Sequence, residues 1–180
     1  MASQQDNKQI QIGDQIPDST LYIHVPQEGE GCSLGPEKFQ ALQQAKGKNI
    51  VIFALPGAYT PVCSGQHVPG YLSLYDDFKN NGVDEIWCIS VNDAYVMQAW
   101  GKDQKVGDKI KMLGDGNGDF TKAIGLGLDL QKLGYGFRSQ RYSALIKDGK
   151  VLGLNIEKGN QFKVSTAEYI IEQVKQLLKK

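Results

Sequence analysis

A threonine, a proline and a cysteine that follow a long apolar run could together create a reactive thiol. Thr60 is a suitable helix N-cap, and Pro61 suits the first helical position, where a missing backbone N–H costs nothing. Cys63 would then lie in the first turn, where the helix dipole and the free amide groups favour the thiolate. Because the thiolate is the nucleophilic form of cysteine, this pattern predicts a reactive thiol at Cys63. The alternative is an inert buried thiol, a common environment for free cysteine.

The residues around Cys63 also match a known signature. Pro56, Thr60 and Cys63 form a Pro-x-x-x-Thr-x-x-Cys pattern, and in this the chain resembles the peroxiredoxins, thiol peroxidases with a thioredoxin-like fold. Three further motifs resemble the type II branch, the fifth peroxiredoxin subfamily: HVPGY at 67–71, CISVND at 88–93 and RYS at 141–143. The likeness extends from about residue 12 to the C-terminal helix.

Arg141 is the leading candidate for binding the peroxide. It is one of two arginines in the chain, and a guanidinium keeps its charge and offers a rigid fork of donors. The resemblance implies that this fork holds the Cys63 thiolate and a peroxide oxygen together. The alternative for each of the two arginines, Arg141 and Arg138, is pairing with surface carboxylates.

Two further side chains have expected roles beside Cys63. The Thr60 hydroxyl could accept a hydrogen bond from the helix amides while it donates its own proton to sulfur or peroxide. The resemblance implies that Pro56 shields the sulfur from water, although Pro56 could also be a plain strand terminator. His67, four residues after Cys63, could share its helix face as an imidazolium or be satisfied by local hydrogen bonds.

The other two cysteines bear on how an oxidised Cys63 is reduced again. Animal-type relatives carry a second, resolving cysteine before the last helix, and the matching position here is Val164. Cys88 matches the second cysteine of plant-type members, but it lies in an apolar run that favours a core thiol. Cys32, in a Gly-Glu-Gly-Cys loop, is a further candidate. We therefore expect a one-cysteine cycle in which glutathione with glutaredoxin, or thioredoxin, reduces Cys63 directly.

Composition excludes several other kinds of protein. In 180 residues, 20 basic and 20 acidic side chains balance, so no nucleic-acid or membrane-surface partner is indicated. No segment is apolar enough to be a membrane helix, and residues 1–9 are expected to be a disordered lead-in without targeting features. Three cysteines without Cys-x-x-Cys spacing favour a reducing compartment, the cytoplasm, and argue against a zinc ribbon. No cofactor or metal ion is expected.

Strands alternate with helices along the chain. Residues 49–55 and 85–91 are continuous apolar runs of the kind found in buried central strands, and amphipathic helical stretches follow at 70–78 and 94–102. Residues 109–113 could add a short strand. Asp148-Gly149 predicts a hairpin between strands at 142–147 and 150–156, which gives an antiparallel edge on an otherwise parallel sheet.

Capping signals mark two later helices. The sequence Ser165-Thr166-Ala167-Glu168 has the form of a capping box at the start of the last helix. The polar run at 115–119 predicts a turn in which Asp119 caps the next helix. Together with the resemblance, these elements predict one domain over residues 1–180 with an α/β, thioredoxin-like fold, a central mixed β-sheet flanked by helices.

The expected function is a thiol-dependent peroxidase acting on hydrogen peroxide and small organic hydroperoxides, and the family also handles peroxynitrite. A redox sensor or thiol-dependent chaperone that uses the same oxidisable Cys63 is the alternative. The set Pro56, Thr60, Cys63 and Arg141 favours catalysis, because a sensor needs an oxidisable thiol but no peroxide-binding groups. The resemblance also implies a homodimer that meets beside the loops around Cys63.

Overall fold

The computed structural model of the chain describes residues 8–25 and 35–179. Within these ranges the strands, in chain order, are β1 (Thr20–Ile23), β2 (Glu37–Gln40), β3 (Asn49–Ala54), β4 (Glu85–Ser90), β5 (Lys111–Gly114), β6 (Gly127–Leu130), β7 (Gly136–Ser139), β8 (Tyr142–Lys147) and β9 (Lys150–Ile156). The α-helices are α1 (Ala41–Ala45), α2 (Val68–Ser73), α3 (Tyr75–Asn80), α4 (Ala94–Asp103), α5 (Asp119–Ala123) and α6 (Ala167–Leu177). A π-helical turn at Cys63–His67 precedes α2, and a 3-10 turn at Gln131–Leu133 joins β6 to β7.

The central sheet has the order β2-β1-β5-β4-β3-β8-β9, and β6 and β7 form a separate antiparallel pair. β3, β4 and β5 are parallel neighbours, whereas β8 and β9 continue the sheet in the antiparallel sense. This confirms the predicted mixed sheet and the hairpin. The prediction of a single antiparallel edge is wrong, because β1 and β2 add a second one beside β5.

Two hydrophobic clusters lie on opposite faces of this sheet. The side chains of β3 alternate between them: Val51 and Phe53 join one cluster, and Ile50 and Ile52 join the other. The first cluster contains Cys63 and buried residues of α2, α3, α4 and α6, and the second contains buried residues of α1 and α5. Helices therefore cover both faces, as the burial of β3 and β4 requires.

Several local predictions need correction. The helical stretch predicted at 70–78 is two helices, because Leu74 leaves helical geometry at φ −101° and ψ 12°. Thr166, not Ser165, is the N-cap of α6, and its side chain accepts a hydrogen bond from Tyr169 N. Asp119 does not cap α5; instead the Asp115 carboxylate accepts hydrogen bonds from the amides of the first two residues after Asp119.

Two predictions concern residues outside the described ranges. Residues 1–7, the greater part of the predicted disordered lead-in, are not among the described residues, and neither is Cys32. In the part of the chain that is described, no helix combines the length and the hydropathy needed to cross a membrane.

Candidate active site

The pairing of β3 with β8 determines where the segments that carry the candidate residues meet. The two strands are antiparallel, with Ala54 opposite Tyr142, so the end of β3 lies beside the start of β8. Cys63 follows β3 after one loop, and Arg141 directly precedes Tyr142. The sheet therefore brings two residues 78 positions apart in the chain to the same place.

Cys63 lies at the beginning of a helical segment and is fully buried, with 0% of its surface exposed. The amide of Ser64 donates to the carbonyl of Thr60 at 2.9 Å, so the segment begins directly after Thr60, as predicted. A π-helical turn follows over Cys63–His67, where the amide of Val68 reaches back to the carbonyl of Cys63. The thiol is free and forms no disulfide.

Arg141 forms a bridge between the sulfur and an imidazole. Its Nη2 donates to Cys63 Sγ at 3.4 Å, and its Nη1 lies 3.0 Å from His67 Nδ1. The guanidinium also lies over the Phe162 ring, 5.6 Å from its centroid. No ion pair between Arg141 or Arg138 and a carboxylate is present among the described residues. The alternative that these arginines pair with surface carboxylates is therefore wrong within the described residues.

The Thr60 hydroxyl takes part in a different hydrogen bond from the one predicted. It donates to the carbonyl of Gly57 at 2.9 Å, and the described contacts of its side chain include no hydrogen bond from a helix amide. The expectation that it accepts from the helix amides is therefore wrong. Because the hydroxyl proton is donated to the Gly57 carbonyl, the Thr60 oxygen could bind peroxide only as an acceptor, through its lone pairs.

The loop before Thr60 is held from two sides. The amide of Ala58 donates to Asn92 Oδ1 at 3.0 Å, and Asn92 follows the neighbouring parallel strand β4. Arg138 donates from Nη1 to the Pro56 carbonyl at 3.3 Å. A side-chain carbon at Gly57 would lie 3.0 Å from that same nitrogen, so the close approach of Arg138 favours glycine here. Asn92 and Arg138 thus fix the loop, roles that residue type alone does not indicate.

His67 is fully buried among aromatic rings. Its ring lies 4.9 Å from that of Phe53 and 5.1 Å from that of Phe162. Burial, and then the positive charge of Arg141, lower the pKa of His67 from 6.5 to about 3. This lowered pKa disfavours the imidazolium considered from sequence. The ring is hydrogen-bonded, but its partners Arg141 and Ser165 lie 74 and 98 positions away, so the expectation of local hydrogen bonds is wrong.

Two other buried groups lie in the same cluster. Cys88 is fully buried in β4, and burial, with a contribution from the nearby Cys63, raises the pKa of its thiol well above the usual value. This confirms a core thiol at Cys88. Trp100 of α4, also fully buried, donates from Nε1 to Ser64 Oγ at 3.0 Å and so ties α4 to the residue after Cys63.

Residues 11–171 of the chain match the Redoxin family. The curated relatives include two peroxiredoxins from Arabidopsis thaliana. Peroxiredoxin-2E, chloroplastic, is 44% identical over 91% of this chain and 68% of its own length, and peroxiredoxin-2B is 42% identical over 91% and 97%. A crystal structure of reduced Prx3 from Vibrio vulnificus in complex with H2O2 aligns with a TM-score of 0.84 and 44% identity, covering 92% of this chain and 99% of that one. The chain belongs to the peroxiredoxins.

As a peroxiredoxin, the protein is a thiol-dependent peroxidase, an oxidoreductase that takes peroxides as substrates and is reduced by a thiol. The peroxiredoxin-2 names of the relatives agree with the type II motifs, and the structural neighbours confirm the thioredoxin-like fold. Within the described residues, no group of three or more His, Cys, Asp or Glu side chains could hold a metal ion.

Proposed function

We propose that Cys63 is the peroxidatic nucleophile of this peroxiredoxin, with Thr60, Arg141 and Pro56 around it. The observation that carries this proposal is the hydrogen bond of 3.4 Å between Arg141 Nη2 and Cys63 Sγ. A guanidinium beside a thiol favours the thiolate form that attacks peroxide. His67 has a secondary place in this site, which is developed below.

The reaction proceeds by displacement at oxygen. The Cys63 thiolate attacks one peroxide oxygen, the O–O bond breaks, and the leaving oxygen takes up a proton from solvent and departs as water or an alcohol. Sulfur loses two electrons and becomes a sulfenic acid. Arg141 stabilises the charge on the oxygens as the bond breaks, and the Thr60 oxygen orients the peroxide by accepting its O–H. Hydrogen peroxide and small organic hydroperoxides are the substrates that need no further recognition groups, and peroxynitrite suits the same cationic site.

Reduction then follows a one-cysteine cycle. Val164 occupies the position of the animal-type resolving cysteine, and Cys88 is fully buried within β4. A first external thiol condenses with the sulfenic acid and releases water, and a second thiol displaces Cys63 from the mixed disulfide. Glutathione with glutaredoxin, or thioredoxin, supplies these thiols. Because Cys63 has no exposed surface, the turn that carries it must open before a thiol reaches the sulfur.

The working form that we propose is a homodimer in a reducing compartment, the cytoplasm. Tyr59, Leu133 and Tyr135 are large exposed apolar side chains, and Arg138 connects their two loops through the Tyr135 and Pro56 carbonyls. An apolar surface next to the active-site loop supports dimer contacts there. The free thiols of Cys63 and Cys88 support a reducing compartment.

Mass spectrometry of the peroxide-treated protein, with and without glutathione, tests the nucleophile and the cycle together. We expect a sulfenic acid on Cys63 that becomes a glutathione adduct, and loss of peroxide consumption in Cys63→Ser. Cys88→Ser is the matched control and should keep the activity. Peroxide consumption by Cys63→Ser would exclude Cys63 as the nucleophile, and a rapid disulfide from Cys63 to Cys32 or Cys88 would exclude the one-cysteine cycle.

A further inference from the structure

The hydrogen bonds of the buried His67 determine which of its nitrogens carries the proton. Nδ1 lies 3.0 Å from Arg141 Nη1, and Nε2 lies 3.0 Å from the carbonyl oxygen of Ser165. A guanidinium can only donate and a carbonyl can only accept. The imidazole is therefore protonated on Nε2 and accepts the Arg141 hydrogen bond through the lone pair on Nδ1.

The Ser165 carbonyl is itself held in place by buried groups. The Tyr71 hydroxyl donates to it at 2.9 Å. The amide and hydroxyl of Ser165 both donate to Glu157 Oε1, at 2.8 Å and 2.9 Å, and the amide of Lys163 donates to the same oxygen. Burial disfavours the charged carboxylate, but these hydrogen bonds outweigh it and hold the pKa of Glu157 below its usual value. An ionised Glu157 therefore fixes the segment that presents the carbonyl.

Glu157 also fixes the backbone of Arg141. The amide of Glu157 donates to the Arg141 carbonyl at 3.0 Å. One residue, directly after β9, thus holds both the main chain of the arginine and, through Ser165, the imidazole that receives its side chain. A continuous set of hydrogen bonds runs from Glu157 to Cys63 Sγ.

The guanidinium of Arg141 needs such an acceptor to keep its direction. A guanidinium is a rigid plane, so fixing Nη1 on His67 also fixes the direction in which Nη2 points. The Phe162 ring lies against the guanidinium but cannot set its rotation within the plane, since a ring face offers no directional acceptor. His67 is the described partner that fixes this rotation.

We propose that His67 is a positioning residue for peroxide reduction, a neutral imidazole protonated on Nε2 that aims the Arg141 fork at Cys63 Sγ, with its proton fixed by the Ser165 carbonyl. His67 does not touch the peroxide and transfers no proton. The inference rests on the roles proposed above for Cys63 and Arg141, and it adds the residues that keep them aligned.

Three substitutions at position 67 separate the two hydrogen bonds. His67→Asn keeps an acceptor near the place of Nδ1, His67→Gln keeps a donor near the place of Nε2, and His67→Leu keeps neither. A hydrogen bond to a charged group is strong, so we expect His67→Gln and His67→Leu to lower kcat/KM for hydrogen peroxide by about 10-fold to 100-fold. His67→Asn should recover most of the loss, and the rate of the later reaction with glutathione should not fall in any of the three.

A second readout follows Cys63 without peroxide. The rate of alkylation by iodoacetamide, measured against pH, reports how well the thiolate is stabilised. We expect its midpoint to move to higher pH in His67→Gln and His67→Leu but not in His67→Asn. Thr166→Ala is the matched control, since it removes the cap next to Ser165 and lowers the melting temperature without disturbing the acceptor for Arg141. Folded His67→Gln and His67→Leu variants with the kinetics and alkylation profile of this control would overturn the proposal.

NMR of the unsubstituted protein keeps the test independent of whether the variants fold. In the 15N spectrum we expect His67 to show a protonated Nε2 and an unprotonated Nδ1, unchanged between about pH 5 and pH 8. A proton on Nδ1, or a titration within that range, would overturn the proposal. Neither NMR nor alkylation needs turnover, so failure here is distinct from failure of Cys63→Ser to lose peroxide consumption, which would refute the proposed function instead.

Discussion

At the scale of single residues, the site combines a fully buried thiol with a small set of fixed donors. Exposure is not what makes Cys63 suitable for chemistry, since none of its surface is exposed. The contact that distinguishes it from Cys88, the other buried free thiol, is the hydrogen bond from Arg141. In the proposed reaction, stabilisation of the peroxide oxygens by such donors matters as much as the thiolate itself.

Substitution of Thr60 tests whether its oxygen binds peroxide. Thr60→Val removes the hydroxyl that donates to Gly57 and could accept from peroxide, so we expect kcat/KM for hydrogen peroxide to fall by about 100-fold or more. Thr60→Ser keeps the hydroxyl and is the matched control, with an expected loss below about tenfold. Stopped-flow peroxide reduction measures both. An unchanged rate in Thr60→Val would exclude binding of peroxide by the Thr60 oxygen, and a loss in Thr60→Ser as large as that in Thr60→Val would show that the hydroxyl alone does not account for the role of Thr60.

Residue types and motifs supplied the candidate residues of the site but not the hydrogen bonds that connect them. Cys63, Thr60 and Arg141 stand out because their chemistry and their motif agree, and the structure places Arg141 within hydrogen-bond distance of Cys63 Sγ. The partner of His67 was beyond prediction, since Ser165 lies 98 positions away and contributes a main-chain carbonyl that every residue possesses. The hydrogen bond from the Thr60 hydroxyl to the Gly57 carbonyl was also missed, because the position of that carbonyl depends on the path of the loop.

At the scale of elements, long buried segments were predictable and short ones were not. β3 and β4 are each six residues long with five of them buried, and an unbroken apolar run of that length indicates a strand covered on both faces. β1 and β2 have four residues each and only one buried residue apiece, so their sequences carry little of this signal. The second antiparallel edge was missed for that reason.

Helix caps were predicted in the right regions but on the wrong residues. At α6, both Ser165 and Thr166 are suitable caps, and the structure uses Thr166 because the Ser165 hydroxyl donates to the buried Glu157. At α5, the first turn is satisfied by Asp115, which lies before the turn rather than at its end. Tertiary contacts and loop geometry determine which residue caps each helix, and a local sequence pattern contains neither kind of information.

The hydrogen bond between the reactive turn and α4 should control how readily the sulfur is reached. Ser64→Ala leaves the buried Trp100 Nε1 without its acceptor while the turn is closed, at a cost of about 1–3 kcal/mol. Opening the turn lets that group meet water, so opening becomes easier. We expect glutathione to attack the oxidised enzyme about fivefold faster or more, measured by stopped flow, with a lower melting temperature.

Ser73→Ala is the control for that experiment. The Ser73 hydroxyl donates to the Gly70 carbonyl on the exposed side of α2. In Ser73→Ala the rate of attack by glutathione and the melting temperature should therefore change little. A destabilised Ser64→Ala variant that reacts with glutathione at the original rate would mean that the sulfur is reached without opening of the turn.

At the scale of the whole molecule, the candidate active site joins segments from most of the chain. Its groups come from the segment after β3, the residue directly before β8, the residue directly after β9 and the segment before α6. A change in the ionisation of one of them is therefore linked to the folding of the entire sheet and its helices.

His67 makes the overall stability depend on pH. Its pKa is lowered from 6.5 to about 3 in the folded protein, so below about pH 6.5 the unfolded chain binds a proton that the folded chain does not. Above pH 6.5 the neutral imidazole makes its full contribution to the free energy of unfolding. This contribution is lost as pH falls from there toward about 3, by up to about 1.4 kcal/mol per pH unit.

Denaturant unfolding of the original protein and of His67→Asn at several pH values measures this contribution. The carboxylates are common to both proteins, so the difference between the two unfolding free energies isolates position 67. As the pH is lowered from about 7 to about 5, we expect the unfolding free energy of the original protein to fall by more than that of His67→Asn. A difference that stays constant would mean that the folded imidazole takes up its proton as readily as the unfolded one.

The π-helical turn at Cys63–His67 makes the site depend on the number of residues as well as on their identity. The bond from the Val68 amide to the Cys63 carbonyl encloses one residue more than an α-helical turn does. A single-residue deletion inside the turn would restore regular helix and rotate Cys63 by about 100° around the helix axis relative to His67. Two chains could then share every active-site side chain and still differ in activity through one inserted or deleted residue.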